Sequence, residues 1–204
     1  MRRRTLLGGT VLVAAALGAG FAVGLSRTDA PANPKGLLPL PLGEMRFSLS
    51  DHEGRNVVPQ DLVGRATMVF FGFTSCPDIC PTTLADITGW LEALGEDANL
   101  LHVVFITVDP ARDTVEAMAE YVGYFHPTIR GWTGSPEEIA RAADGFRASY
   151  ERVPAENGNY TMNHTAGVFL FDAEGRFKTI VDYHEPREFA LPKIRRVMGD
   201  DSGV

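Results

Sequence analysis

Two cysteines are the only thiols in this 204-residue chain, and three residues separate them. Cys76 and Cys80 sit in the run Phe70-Phe-Gly-Phe-Thr-Ser-Cys76-Pro-Asp-Ile-Cys80-Pro81-Thr-Thr-Leu84. Pairs this close do one of three things. A structural disulfide would suit an exported domain, but so short a loop returns only roughly 2 kcal/mol in the chain-entropy account. A thiol–disulfide exchanger is the second reading, although its usual motif has two intervening residues rather than three, which changes strain and redox poise. The third is a metal site, and the residue types favour it. Two thiolates and one imidazole suit a soft ion such as Cu(I), whereas structural zinc wants a fourth protein ligand and there is no third cysteine.

A metal site needs an imidazole, and the chain offers His52, His102, His126, His164 and His184. A lone histidine is more often a surface or satisfied core residue than a ligand. His52 falls in a turn, His102 near the start of an apolar run, His126 before Pro127, and His184 beside Glu185. His164 differs, because Tyr160-Thr-Met-Asn-His164-Thr-Ala leads straight into the apolar run Ala166–Phe171. Spacing alone does not choose among the five. Asp78, between the cysteines, is either a residue that tunes a bound metal or an ordinary solvated acid. Met162 would share a strand face with His164, and core filling is the better account of it.

The elements that must position these residues follow from periodicity. Ala66–Phe73 and Leu100–Val108 are near-continuous apolar runs, the pattern of strands buried on both faces. Leu84, Ile87, Leu91 and Leu94 recur at helical spacing, with Gly95 as the stop. The cysteines therefore lie between a strand's carboxyl end and a helix, a place where ligands and reactive groups gather in open sheets. Pro81 suits the first helical position, which puts Cys80 near the cap, where free N–H groups favour a thiolate. Asp113 and Thr114 can start a second helix through Val122, and Ser135-Pro136-Glu137-Glu138 is a third helix start. Asp109 and Arg112 either pair at the rim of the site or serve that second helix. Met45–Asp51 alternates like a strand, Thr165–Phe171 and Phe177–Tyr183 flank the turn Asp172–Gly175, and Glu185–Met198 reads as a last helix. Strands alternating with helices, closed by a hairpin, predict an α/β domain with a mixed central sheet.

Composition narrows the classes. Hydrophobic residues make up 45% and charged residues 22%, ordinary globular values. Arg2–Arg4 are three of the 19 cationic residues and residues 1–26 hold no acid, so the remainder carries 16 cations against 26 acids, a net charge of −10. A body that acidic is a poor partner for phosphate backbones, and nucleic acid is excluded on that ground. Residues 5–26 are 22 uncharged, mostly apolar residues behind three arginines. At about 1.5 Å per residue they are long enough to cross a hydrocarbon core of roughly 30 Å. This predicts a membrane anchor at 1–26, or a cleaved signal, with the body on the extracytoplasmic side. A linker at 27–42, a domain at 43–198 and a tail at 199–204 complete the expected organisation.

Several motifs occur together in order: the Gly64-Arg65 approach to the cysteine segment, Ile106-Thr-Val-Asp109-Pro-Ala-Arg112-Asp113-Thr114, Gly131-Trp-Thr-Gly134, and Tyr160-Thr-Met-Asn-His164. In this combination, over about residues 43–198, the chain resembles the Sco/SenC family of copper-binding assembly factors for cytochrome oxidase. One departure is Asn163, where such proteins usually carry Asp. The resemblance implies a thioredoxin-like fold, with Cys76, Cys80 and His164 as ligands for Cu(I) and in some states Cu(II). It implies that the cysteines form a redox disulfide, that copper comes from a donor protein, and that the target is the dinuclear copper centre of oxidase subunit II. Two other readings stay beside the copper carrier: a membrane-tethered thiol–disulfide reductase acting on the oxidase cysteines, and a redox or copper sensor.

Overall fold

The computed structural model describes residues 38–199. The expected anchor at 1–26, most of the 27–42 linker and nearly all of the tail lie outside the described residues. Among the described residues no helix is long and apolar enough to cross a membrane.

The strands are β1 (Leu49–Asp51), β2 (Asn56–Val57), β3 (Ala66–Gly72), β4 (Leu101–Thr107), β5 (Ile129–Thr133), β6 (Tyr150–Pro154), β7 (Tyr160–His164), β8 (Val168–Phe171) and β9 (Phe177–Val181). The helices are α1 (Ile79–Leu94), α2 (Val115–Val122), α3 (Pro136–Phe146) and α4 (Arg187–Val197). Seven strands form one sheet in the order β2-β1-β5-β4-β3-β8-β9. The β3, β4 and β5 trio runs parallel, and the flanking pairs run antiparallel. The expected mixed α/β sheet is the one found.

Both apolar runs became central strands because helices cover both faces. On one face Phe70 stacks on Phe105 with ring centroids 5.9 Å apart, under α1 and α2. On the other, Phe146 of α3 meets Phe71, Phe169 and Phe171 at 5.4, 6.0 and 5.5 Å. Interlocked rings at this spacing add to burial. Helix α3 starts where its sequence dictates: Ser135 is the N-cap, and its hydroxyl accepts from the Glu138 N–H at 3.3 Å. Helix α1 ends at Gly95, whose φ of 60° is a backbone conformation that glycine adopts readily and side-chain-bearing residues resist.

Three expectations are corrected. The strand expected over Met45–Asp51 is ordered as β1 only from Leu49, and Met45 and Phe47 are instead buried core residues before it. Pro81 is the third residue of α1, not the first, still within the turn whose N–H groups lack intrahelical partners. The segment leading to His164 does not merge into β8. It is its own strand, β7, paired antiparallel with β6 in a separate two-stranded ribbon from Tyr150↔His164 to Pro154↔Tyr160.

Candidate metal centre

The centre assembles where β3 ends and α1 begins. Gly72 closes β3, and its backbone carbonyl accepts from the Val108 N–H at 2.7 Å. The cysteine loop follows, held by Asp113. This fully buried carboxylate accepts from the Thr74 N–H at 3.0 Å, the Thr74 hydroxyl at 2.6 Å and the Thr107 hydroxyl at 2.5 Å. Burial raises its pKa against the lowering effect of those hydrogen bonds. The cap of α2 is Thr114, whose hydroxyl accepts from the Ala117 N–H. Asp113 thus staples the loop two residues before Cys76 to the end of β4.

Cys80 is buried in the first turn of α1, and Cys76 is half-buried on the loop before it. A Cβ added at Gly72 would stand 2.7 Å from the Cys80 sulfur and 2.7 Å from the Phe105 ring. Only glycine leaves room there for the sulfur to face the cleft. The signal was in the sequence, a glycine inside an otherwise unbroken buried strand, which marks a close approach.

His164 arrives from β7. Its Nε2 lies 3.3 Å from the Cys80 sulfur, and its Nδ1 is 2.9 Å from the Thr165 carbonyl oxygen. A carbonyl can only accept, so Nδ1 carries the proton and the Nε2 lone pair faces the sulfurs. Phe70 and Phe73 set the ring edge-on at centroid distances of 6.0 and 5.9 Å. The two Sγ atoms and the imidazole nitrogen all lie within 4.8 Å of one another, the one cluster of three metal-ligating side chains among the described residues.

The two thiols differ. The Cys80 thiol hydrogen-bonded to Cys76 is the main cause that lowers the Cys76 pKa, to about 5. Burial opposes this, and the backbone N–H groups of Cys80 and Asp78 assist, the former 3.4 Å from the Cys76 sulfur. The same shared proton, together with burial, pushes Cys80 well above the usual thiol range. The N–H groups around Cys76 and the burial of Cys80 favour the thiolate on Cys76 and the proton on Cys80. A cation entering the cluster must displace that proton, so metal binding releases it.

Asp78 is exposed at the start of α1, and its side chain makes no capping bond. It lines a cleft of about 400 Å³ with Phe73, Cys76, Met162 and His164. The other histidines have separate roles. His52 Nδ1 accepts from the Gly131 N–H at 3.1 Å and His126 Nδ1 from the Thr128 N–H at 3.2 Å. His184 lies 3.7 Å from Asp86, and half-buried His102 is the second residue of β4.

A thioredoxin-like sheet with cysteines at the β3–α1 junction, opposed by a histidine on a separate ribbon, defines the class. The SCO1/SenC family model matches residues 40–199, and the chain belongs to that family. The mitochondrial Protein SCO2 homolog of Danio rerio is 42% identical over 146 residues, 70% of this chain and 51% of that protein. The human Protein SCO2 homolog is 38% identical over 160 residues, 77% of this chain and 60% of that one. The chain thus spans between half and two thirds of the length of these relatives. The copper-bound structure of Bradyrhizobium japonicum ScoI superposes with a TM-score of 0.71 at 38% identity, covering 79% of this chain and 99% of that one. Copper-bound Arabidopsis thaliana ScoI gives 0.70 at 34%, over 75% and 96%.

Proposed function

We propose that this chain is a copper carrier: Cys76, Cys80 and His164 hold Cu(I), and the ion passes to the dinuclear copper centre of cytochrome c oxidase subunit II. Convergence of two sulfurs and one oriented imidazole nitrogen within 4.8 Å carries the reading. The donor set is soft and low in number, which suits Cu(I) and disfavours structural zinc. Half-exposure of Cys76 on an open cleft gives an incoming ligand a way to the ion, so transfer can proceed by stepwise ligand exchange. Transfer of two electrons from the two metal-bound thiolates to a disulfide on a partner protein, which takes up two solvent protons and becomes two thiols, would form the Cys76–Cys80 disulfide, remove two ligands and expel the ion. Copper would reach the site from a donor protein. The uncharged apolar segment 5–26 behind Arg2–Arg4 supports a tethered domain on the extracytoplasmic side.

One observation favours a second activity at the same site. Cys76 is half-exposed, and the Cys80 thiol and nearby N–H groups lower its pKa to about 5; Cys80, once it gives up its proton, can resolve a mixed disulfide. That is the arrangement for reducing a disulfide on a partner, such as oxidised cysteines of the oxidase subunit. The test is a Cu(I) titration of the reduced full-length chain, with Cys76→Ser and His164→Ala beside it. One equivalent bound by the wild type and lost or greatly weakened in both variants supports the carrier. Undiminished binding in both removes this site. If wild type and His164→Ala exchange thiols with a partner disulfide equally well while neither retains copper, the reductase reading stands instead.

A further inference from the structure

We propose that Arg112 is a positioning residue for the metal site: it straps the β6–β7 ribbon, and with it His164, onto the main sheet beside the cysteine loop. The ribbon does not share the seven-stranded ladder, so something else must hold its histidine in place. On β7, Tyr160, Met162 and His164 fall on one face by strand alternation. Tyr160 is thus the far end of the face that carries the ligand, about 13 Å along the strand.

Arg112 makes three contacts, two of them with Tyr160. Its Nε pairs with Asp109 Oδ2. Its Nη1 donates to the Tyr160 carbonyl at 3.2 Å, across 48 positions of sequence. Its guanidinium lies over the Tyr160 ring, 4.0 Å from the centroid. The phenol closes the loop by donating to Asp109 Oδ1 at 2.9 Å. Asp109 is buried at the end of β4, so the ring, the guanidinium and the carboxylate form a closed cycle rooted in the main sheet. The Arg152 guanidinium, 3.7 Å from the same ring centroid, must take its opposite face, because two guanidiniums cannot stack so closely on one.

A local ion pair does not explain this geometry. An Asp109–Arg112 pair three residues apart would need no tyrosine, and α2 is capped by Thr114 without either residue. The guanidinium also lies 5.7 Å from the Phe73 ring, and Phe73 meets His164 edge-on. Arg112 thus touches both the strap and the wall of the metal cleft. Its Nη2 is buried with no hydrogen-bond partner among the described residues. Leaving a donor unpaired in this way is costly and persists because the other contacts hold the guanidinium there.

The metal-binding arm of the test rests on the copper reading above, and the structural arm does not. In the reduced full-length chain, Arg112→Ala should weaken Cu(I) binding, measured against a chromophoric Cu(I) chelator, by about 10–100-fold, the scale of groups that orient metal ligands. Hydrogen exchange at the amides of 160–164 should accelerate on the order of tenfold, with β3 and β4 unchanged. In a His164→Ala background the same substitution should have no further effect on Cu(I) binding, because Arg112 acts through that ring. Tyr160→Phe keeps the stack and loses the bond to Asp109, so it should show a smaller loss in both measurements and decides the matter if Arg112→Ala does not fold. Unchanged exchange in the ribbon, or additive losses in the double variant, would overturn the strap. If the wild type binds no Cu(I), the copper reading fails, and the exchange comparison still decides whether Arg112 holds the ribbon.

Discussion

The two halves of the metal centre are built differently. The cysteines sit on the most deeply rooted part of the molecule. Every residue of β3 is buried, the loop after it is held through Thr74 by a buried carboxylate, and Cys80 is packed into the first turn of a 16-residue helix. The histidine sits on a two-stranded ribbon with mostly half-buried or exposed residues. Two strands alone are marginal in water, so the ribbon depends on side-chain contacts for its place. On the proposed reading the contrast divides the duties: the thiols form a preorganised seat, and the imidazole is held by fewer contacts to the main sheet.

The largest expected effect strikes the rooted half. Asp113→Ala orphans the Thr74 and Thr107 donors in the core, so stability should fall by about 3 kcal/mol, read by denaturant unfolding of the apo chain. A loss under about 1 kcal/mol would mean the loop is anchored some other way. Next comes Gly72→Ala. The new methyl collides with the Cys80 sulfur and the Phe105 ring, and overpacking of this kind costs about 1–3 kcal/mol. Cu(I) affinity should fall with it, since the displaced sulfur belongs to the proposed ligand set. The ribbon half should behave in the opposite way. His164→Ala removes the hydrogen bonds to the Thr165 carbonyl and the Cys80 sulfur and two ring-edge contacts from a half-buried site. Apo stability should change by about 1 kcal/mol or less, while Cu(I) retention drops sharply. If His164→Ala unfolds the chain as Asp113→Ala does, the division of duties is wrong.

The rooted half was largely legible in sequence, and the ribbon was not. Continuous apolar runs of this length, rich in Val, Ile and Phe, fit doubly covered strands, so Ala66–Phe73 and Leu100–Val108 announced β3 and β4 nearly to the residue. Ser135 and Gly95 marked helix ends through local chemistry that tertiary context did not override. Strand β6 carries Glu151, Arg152 and Pro154 and has no apolar alternation, so nothing in its pattern separates it from a loop. Its existence depends on pairing with β7. The motifs pointed to His164, but the residues that orient it could not be read from spacing. The Thr165 carbonyl is backbone, and Arg112 and Tyr160 are 48 positions apart. Asp113 was obscured in another way. Beside Thr114 it has the look of a helix start, and only the fold reveals that its carboxylate faces backward into the core.

The smallest expected effect comes from a second comparison, within the rooted sheet. Two turns share the pattern Asp-x-Glu-Gly-Arg: Asp51–Arg55 between β1 and β2, and Asp172–Arg176 between β8 and β9. Each Asp accepts from the Arg backbone N–H and pairs with its guanidinium, with Nε contacts of 2.8 and 2.9 Å. In each, burial alone would raise the carboxyl pKa, and the hydrogen bonds and the arginine outweigh it, so the value ends below 3.8. A carboxylate with a depressed folded pKa contributes stability that is complete above the unfolded value and is lost as pH falls through the folded one. The guanidiniums are largely exposed, so solvent screening keeps each contribution small. Asp51→Asn and Asp172→Asn should each lower stability slightly at neutral pH and flatten its fall below about pH 4, followed by unfolding midpoints across pH. His164→Ala should leave that acid limb unchanged, because its ribbon contains neither turn. A limb that shifts with His164 and not with the two aspartates would show that acid acts first on the ribbon, and the sheet would then not be the part of the molecule that sets its acid stability.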